Sequence, residues 1–185
     1  SEIVNNILQR IDRPDLFRIL TDELSGTELN SLLLEVFSER IKSLSPPDLL
    51  NLYQKSRFTK PADLPVLEMK RMELEILELF REHSFSPIDL SPVSILGSCS
   101  GVGPADQKKI LTALRGTEVL ADSTNAIALH VSDLKKQKAL STEISRFCNI
   151  QRMVRTQAIS GKGFTPHFRV GCLVSCGSDT GNFQF

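Results

Sequence analysis

Neither sign of charge dominates this sequence: 22 Lys and Arg stand against 22 Asp and Glu, a formal net charge of zero. A surface built to neutralise phosphates tips that balance toward lysine and arginine. Avid, general nucleic-acid binding is therefore not expected, although a local basic pocket is compatible with the balance. No apolar run approaches the roughly 18 residues that a membrane span needs, and the start lacks the charged-then-apolar pattern of a secretory leader. The expectation is a soluble, cytoplasmic protein without a membrane partner. Paired cysteines are missing as well: Cys99, Cys148, Cys172 and Cys176 form no C-x-x-C and have no matching histidine spacing. A tetrahedral zinc site needs converging ligands, usually delivered as close pairs. Cys172 and Cys176 share a face if they lie on a strand, but about 13 Å apart at a rise of about 3.3 Å per residue, too far to hold one ion. All four are expected to be reduced thiols, mostly buried.

At 185 residues and 41% hydrophobic content, the chain can bury one core and carry a smaller helical appendage. The first part has helical grammar. Asp12 followed by Pro14 marks a helix start, with Leu16, Phe17, Leu20 and Leu24 on one side. Ser25-Gly26-Thr27-Glu28 fits a capping box, which opens an amphipathic stretch with Leu29, Leu32, Leu33, Val36, Phe37 and Ile41 at helical spacing. Ser45, Pro46 and Asp48 start another short helix through Leu49, Leu52 and Tyr53. Pro61 and Pro65 interrupt, and a helix is predicted over 66–82 with Met69, Met72, Ile76, Leu77 and Phe80 inward.

After His83 proline, glycine and β-rich runs replace the helical pattern. Strands are predicted over 108–114 and 118–121, joined by a tight turn at Arg115-Gly116-Thr117. A helix follows over 125–138 with Ile127, Leu129 or His130, and Leu134 toward a sheet. Segments 147–157 and 167–176 read as a second hairpin with a long connection over 158–166. The fold class is α+β: a helical region over 1–65, then an antiparallel sheet flanked by helices over 66–185.

The candidate sites each have a plain structural alternative. The glycine-rich stretch Gly97–Gly103 with Ser98 and Ser100 can converge amides on a phosphate, yet no GK[ST] follows, and a purely structural loop is the alternative. Arg155, opposite in facing to Arg152 on a strand, can grip a phosphate or carboxylate in bidentate fashion, or reach solvent. Gln157 shares its face. Across the hairpin, Phe168 offers a ring on which a base can stack, or a core side chain. Asp122 and Thr124 can hold an ammonium group, or cap the helix that follows. No catalytic triad assembles around His83, His130 or His167; only His167 lies near the other candidate ligand groups.

Taken in order, these pieces resemble a class II aminoacyl-tRNA synthetase catalytic domain over residues from about Glu68 to Phe185, closest in layout to the histidyl type. Leu77-Glu78-Leu79-Phe80-Arg81-Glu82-His83-Ser84-Phe85, followed by Pro87-Ile88-Asp89-Leu90-Ser91-Pro92, looks like motif 1, whose helix and proline-ended strand build the dimer interface in that family. Glu118-Val119-Leu120-Ala121-Asp122-Ser123-Thr124 looks like the LRPExT segment that contacts the amino acid, with Asp122 at the acidic position, Thr124 at the threonine and Leu120 in place of the arginine. Val154-Arg155-Thr156-Gln157 resembles the FRxE of motif 2, with Gln157 replacing the glutamate and Val154 the phenylalanine. Phe164-Thr165-Pro166-His167-Phe168 stands in place of (Arg/His)xxxF, so Phe164 falls at the basic position, for which Lys162 or His167 can substitute. A motif 3 with its second ATP-binding arginine is not recognised before Phe185, so the domain reads as incomplete.

The resemblance implies nucleotide-binding roles for Arg155, Gln157, His167 and Phe168, amino-acid contacts from Asp122 and Thr124, ATP with Mg as cofactor, and a homodimer through the motif 1 helix and strand. No anticodon-binding domain is recognised, which argues against tRNA as a partner. The expected function is that of a stand-alone synthetase-like protein without full aminoacylation activity, keeping an amino-acid or adenine-nucleotide pocket or a regulatory role. The alternatives are an amino-terminal fragment of an ATP-dependent ligase and a non-catalytic interaction module.

Overall fold

A computed structural model describes residues 1–140, 144–157, 161, 164–178 and 181. The chain divides into two units, Ser1–Asn51 with Leu114–Gly116 and Leu52–Ala113 with Thr117–Phe185. In the first, α1 (Glu2–Arg10) is capped by Ser1, whose hydroxyl accepts from the Val4 amide. Asp12 takes a left-handed φ of 52°, so it ends this turn of chain instead of starting the next helix as expected. The next helix, α2 (Leu16–Arg18), begins after Asp15 and widens into a π-helical turn over Ile19–Glu23. α3 (Gly26–Lys42) carries the expected capping box, with Ser25 N donating to Glu28 Oε2 at 2.8 Å and Glu28 N to Ser25 Oγ at 3.3 Å. Its apolar stripe is not covered as expected: Leu32, Val36, Phe37 and Ile41 are exposed, and none of the residues of α1 to α3 is buried. α4 (Pro46–Lys55) opens where Ser45 and Asp48 exchange hydrogen bonds, as expected.

The second unit is an α+β assembly of two three-stranded sheets with helices against them. α5 (Val66–Glu82) has the bounds the periodicity predicts, with Met69, Ile76, Leu77 and Phe80 half-buried. Met72 is exposed, a correction, and Glu73 beside it is buried, because the helix face turned to the sheet carries an ion pair. Glu73 forms an ion pair with Arg169, and Lys70 Nζ lies 2.8 Å from its other oxygen. After α5 come β1 (Ser86–Pro87), β2 (Val93–Ile95), the short α6 (Ser98–Gly101) and a 3₁₀ turn over Gln107–Lys109. Then follow β3 (Thr112–Ala113), β4 (Thr117–Val119), α7 (Ser123–Lys136), β5 (Ser145–Val154) and β6 (His167–Cys176).

β5 and β6 pair antiparallel over ten residues, from Ser145↔Cys176 to Val154↔His167, as the sequence predicts. β1 runs parallel to β5, so this sheet is mixed where a purely antiparallel one was expected. The parallel pair is reached by a long crossover through the other sheet and α7, as parallel neighbours require. The second sheet has the order β2-β4-β3 and is antiparallel. The predicted strand over 108–114 is cut to two residues because Asp106 accepts from Lys108 N at 3.0 Å and curls the chain into the 3₁₀ turn. Arg115 and Gly116 carry φ of 66° and 67° in the turn before β4, the sign that hairpin twist favours. Leu120 joins the sheets, its amide donating to Pro92 O at 3.0 Å and its carbonyl accepting from Val154 N at 3.3 Å. The core gathers Leu120, Ile127, Cys148, Met153 and Cys172. Among the described residues no helix is long and apolar enough to cross a membrane.

Removing one partner of a buried ion pair strands the other, at a cost of about 3–5 kcal/mol when burial is complete. Glu73 and Arg169 keep 11% and 16% of their side-chain exposure, so Glu73→Leu is expected to cost about 2–3 kcal/mol in urea unfolding. Glu73→Leu with Arg169→Met should regain most of that loss; a double variant as unstable as the single one contradicts the pairing.

Candidate functional site

The site is anchored by a residue to which the motifs assign no role. Glu118 lies mid-β4 with its side chain inward and no solvent exposure. Each carboxylate oxygen takes two donors. Oε1 accepts from Ser98 Oγ at 2.8 Å and Cys99 N at 3.0 Å, and Oε2 from Gly97 N at 2.9 Å and Gln107 Nε2 at 2.8 Å. Burial alone pushes the carboxyl group upward, but the donors from Gln107, Gly97, Ser98 and Cys99 outweigh it and hold its pKa at about 2. Gly97 turns its amide inward with a φ of 91°, a conformation a side chain would strain. The glycine-rich loop thus converges amides on an anion, as the sequence suggested it can, and that anion is the protein's own carboxylate.

From this anchor β4 delivers Leu120 and Ala121, both buried, and then Asp122 at the start of α7. Asp122 is the helix cap: its Oδ1 accepts from Thr124 N at 2.8 Å and Thr124 Oγ1 at 2.6 Å. Its Oδ2 lies 3.9 Å from Arg155 Nη2. With both side chains 40–45% exposed, that pair is screened and adds less than about 1 kcal/mol. Arg155 sits one residue beyond β5: its amide still donates to Pro166 O at 3.0 Å, but proline has no amide to return the bond, so the ladder ends there. Its Nε donates to Ala121 O at 3.2 Å, and its guanidinium carbon lies 5.5 Å from the Phe168 ring centroid, within cation–π range.

Two cavities meet at Arg155 and Gln157. The first, about 470 Å³, is bordered by Asp122, Thr124, Asn125, Arg155, Gln157 and Lys109. The second, about 320 Å³, is bordered by Arg57, Arg155, Gln157, Phe164 and Phe168. Both fall in the size range of small-molecule sites. The first offers two carboxylates, Asp106 and Asp122, a hydroxyl and cations; the second offers rings and cations. Cys99 also edges the first cavity, but burial and its hydrogen bond with Glu118 push the thiol above its ordinary range, so it stays protonated. Among the described residues no three His, Cys, Asp or Glu side chains converge on a metal position.

Five of the six candidate ligand residues therefore border these cavities, and His167 does not. Its side chain is buried, with Nε2 2.7 Å from Lys60 O, so it pins the segment before α5 to β6. The position follows from strand alternation, which turns His167 away from the face of Phe168. Lys162 and the rest of the 158–160 and 162–163 stretch lie outside the described residues, as does 182–185. Arg57, Lys109 and Asn125 are additions that periodicity and motif reading missed. Arg57 is a hundred residues from the carbonyl it reaches, and no local pattern signals such a contact. Compared with models of known families and with curated proteins, the chain matches none.

The Glu118 carboxyl lies below its ordinary 4.5 in the folded state, so its stabilisation is complete above about pH 4.5 and is lost as the pH falls toward 2. That contribution is about 3 kcal/mol at neutral pH. Glu118→Gln turns an amide donor onto inward-pointing donors and should cost about 2–4 kcal/mol at pH 7. Urea unfolding from pH 7 to pH 2 should show a shallower loss in the variant; parallel curves contradict the assignment.

Proposed function

We propose that the second unit is a stand-alone class II aminoacyl-tRNA synthetase-like domain that binds an adenine nucleotide or an amino acid without performing full aminoacylation. The observation that carries this is the position of Arg155, between Asp122 Oδ2 at 3.9 Å and the Phe168 ring at 5.5 Å. An α-phosphate needs the first kind of contact and a base the second. On this reading Asp122 and Thr124 meet an ammonium group in the larger cavity, while Phe168, Arg155 and Gln157 hold the nucleotide. ATP would arrive with its Mg held mainly by phosphates and water, since Mg²⁺ keeps much of its hydration shell.

Three positions inside the resemblance lack the group that full activity needs. Leu120, fully buried, stands where an arginine is expected, Gln157 replaces the glutamate, and Phe164 replaces a basic residue. Removing one such stabilising group costs on the order of 100- to 1,000-fold in rate, and three together leave a binding site more readily than a catalyst. The exposed apolar side chains of Leu67, Leu74 and Leu79 on α5 support a homodimer through that helix and the strand after it. A dimer mass in sedimentation agrees with that assembly; a monomer at all concentrations overturns it. A separate interaction role for the helical first unit is favoured by the exposure of Phe17, Phe37 and Ile41.

Thermal unfolding with ATP–Mg, and with non-hydrolysable aminoacyl-adenylate analogues, tests the pocket. Ligand at about 100 times its dissociation constant adds about 2.7 kcal/mol to the folded state. Arg155→Ala and Phe168→Ala should each reduce that shift while the unliganded protein stays folded. Unchanged shifts in both variants, or none in the parent chain, contradict the proposal.

A further inference from the structure

Arg57 comes from the segment between α4 and α5, far in sequence from every candidate ligand residue, yet it borders the same cavity as Arg155 and Phe168. Its Nη1 donates to Gln157 O at 3.3 Å and its Nη2 to Thr156 O, which fixes the guanidinium at the end of β5. The Phe58 ring lies 4.4 Å from its central carbon and supports the other side. A guanidinium carries five donor hydrogens, and these two carbonyls leave donors to spare. They also leave the charge uncompensated: among the described residues no carboxylate lies within ion-pair distance of Arg57. None of the residues bordering this cavity is acidic. Two cations in a chain of zero net charge therefore share one concave surface with an aromatic ring. That combination selects a ligand with a planar base and more than one anionic group.

The geometry points to Arg57 as a second phosphate-binding arginine, so that this cavity takes a nucleoside di- or triphosphate in preference to a monophosphate or nucleoside. Arg155 and Arg57 hold the phosphate chain, with Phe168 against the base. This rests on the reading that Arg155 and Phe168 hold an adenine nucleotide, and it adds the length of the phosphate chain that the site selects.

Calorimetric titration at fixed ionic strength with adenosine, AMP, ADP–Mg and ATP–Mg separates the two. The parent chain should bind more tightly as phosphates are added. Arg57→Gln should weaken ATP–Mg by roughly 10- to 100-fold, the range for losing a charge-assisted contact, and leave adenosine within about twofold. Arg57→Lys, which keeps the charge with fewer donors, should fall between. If Arg57→Gln weakens adenosine and ATP equally, Arg57 only supports the chain after β5 and the assignment is wrong. If ATP binds the parent and Arg57→Gln alike, this assignment fails while the nucleotide reading stands. A parent chain that binds none of the four overturns both together.

Discussion

A carboxylate with no solvent around it must find its hydration inside the protein, and Glu118 finds it in the loop from Gly97 to Cys99 and in Gln107. Four donors on two oxygens join β4 to α6 and to the 3₁₀ turn over 107–109. A group stripped of water and then left unpaired costs several kcal/mol, so these three pieces of chain cannot separate cheaply while the group is ionised. The wall of the larger cavity is assembled from the same pieces, since Cys99 and Lys109 edge it. The next four residues, Val119 to Asp122, carry the chain across the join between the two sheets and into the cap of α7. An internal anion thus sets the position of Asp122 and Thr124, though neither touches it.

Arg155 occupies the corresponding place on the other sheet. Its Nε bond to Ala121 O ties the end of β5 to the segment that Glu118 positions, and Thr156 Oγ1 adds a bond to Lys109 O at 2.6 Å. Arg57 then reaches the carbonyls of Thr156 and Gln157 from a third stretch of chain. The short segment after β5 is held from several sides, which is the support a guanidinium needs if it is to meet a ligand in one orientation. Backbone carbonyls satisfy donors without neutralising charge, so Arg57 keeps its attraction for an anion, while Arg155 shares its charge with the half-exposed Asp122.

Local signals in the sequence are legible where the physics is local. The capping box at Ser25 and Glu28, the bounds of α5 and the long β5–β6 hairpin follow from neighbours within a few residues or from steady alternation. The apolar stripe of α3 follows too, but periodicity says only that Leu32, Val36 and Phe37 share a face, not that anything covers it. Asp106 defeats the predicted strand because a side-chain bond two residues on outweighs the β-rich composition around it. Five of the six candidate ligand residues border the two cavities, placed by order and strand facing. Glu73, Glu118 and Arg57 stayed illegible for a common reason. Each acts through partners far away in sequence, and the same charged residue in a sequence reads equally well as a solvated side chain.

We propose that the cavities meeting at Arg155 form one ligand site. A backbone-amide NMR titration of the full chain with ATP–Mg, and then with non-hydrolysable aminoacyl-adenylate analogues, decides it. ATP–Mg should shift Arg155, Gln157, Phe164 and Phe168, and an adenylate analogue should shift these together with residues 121–125, each saturating with one dissociation constant. An unchanged spectrum, or shifts confined to the first unit, would contradict the proposal.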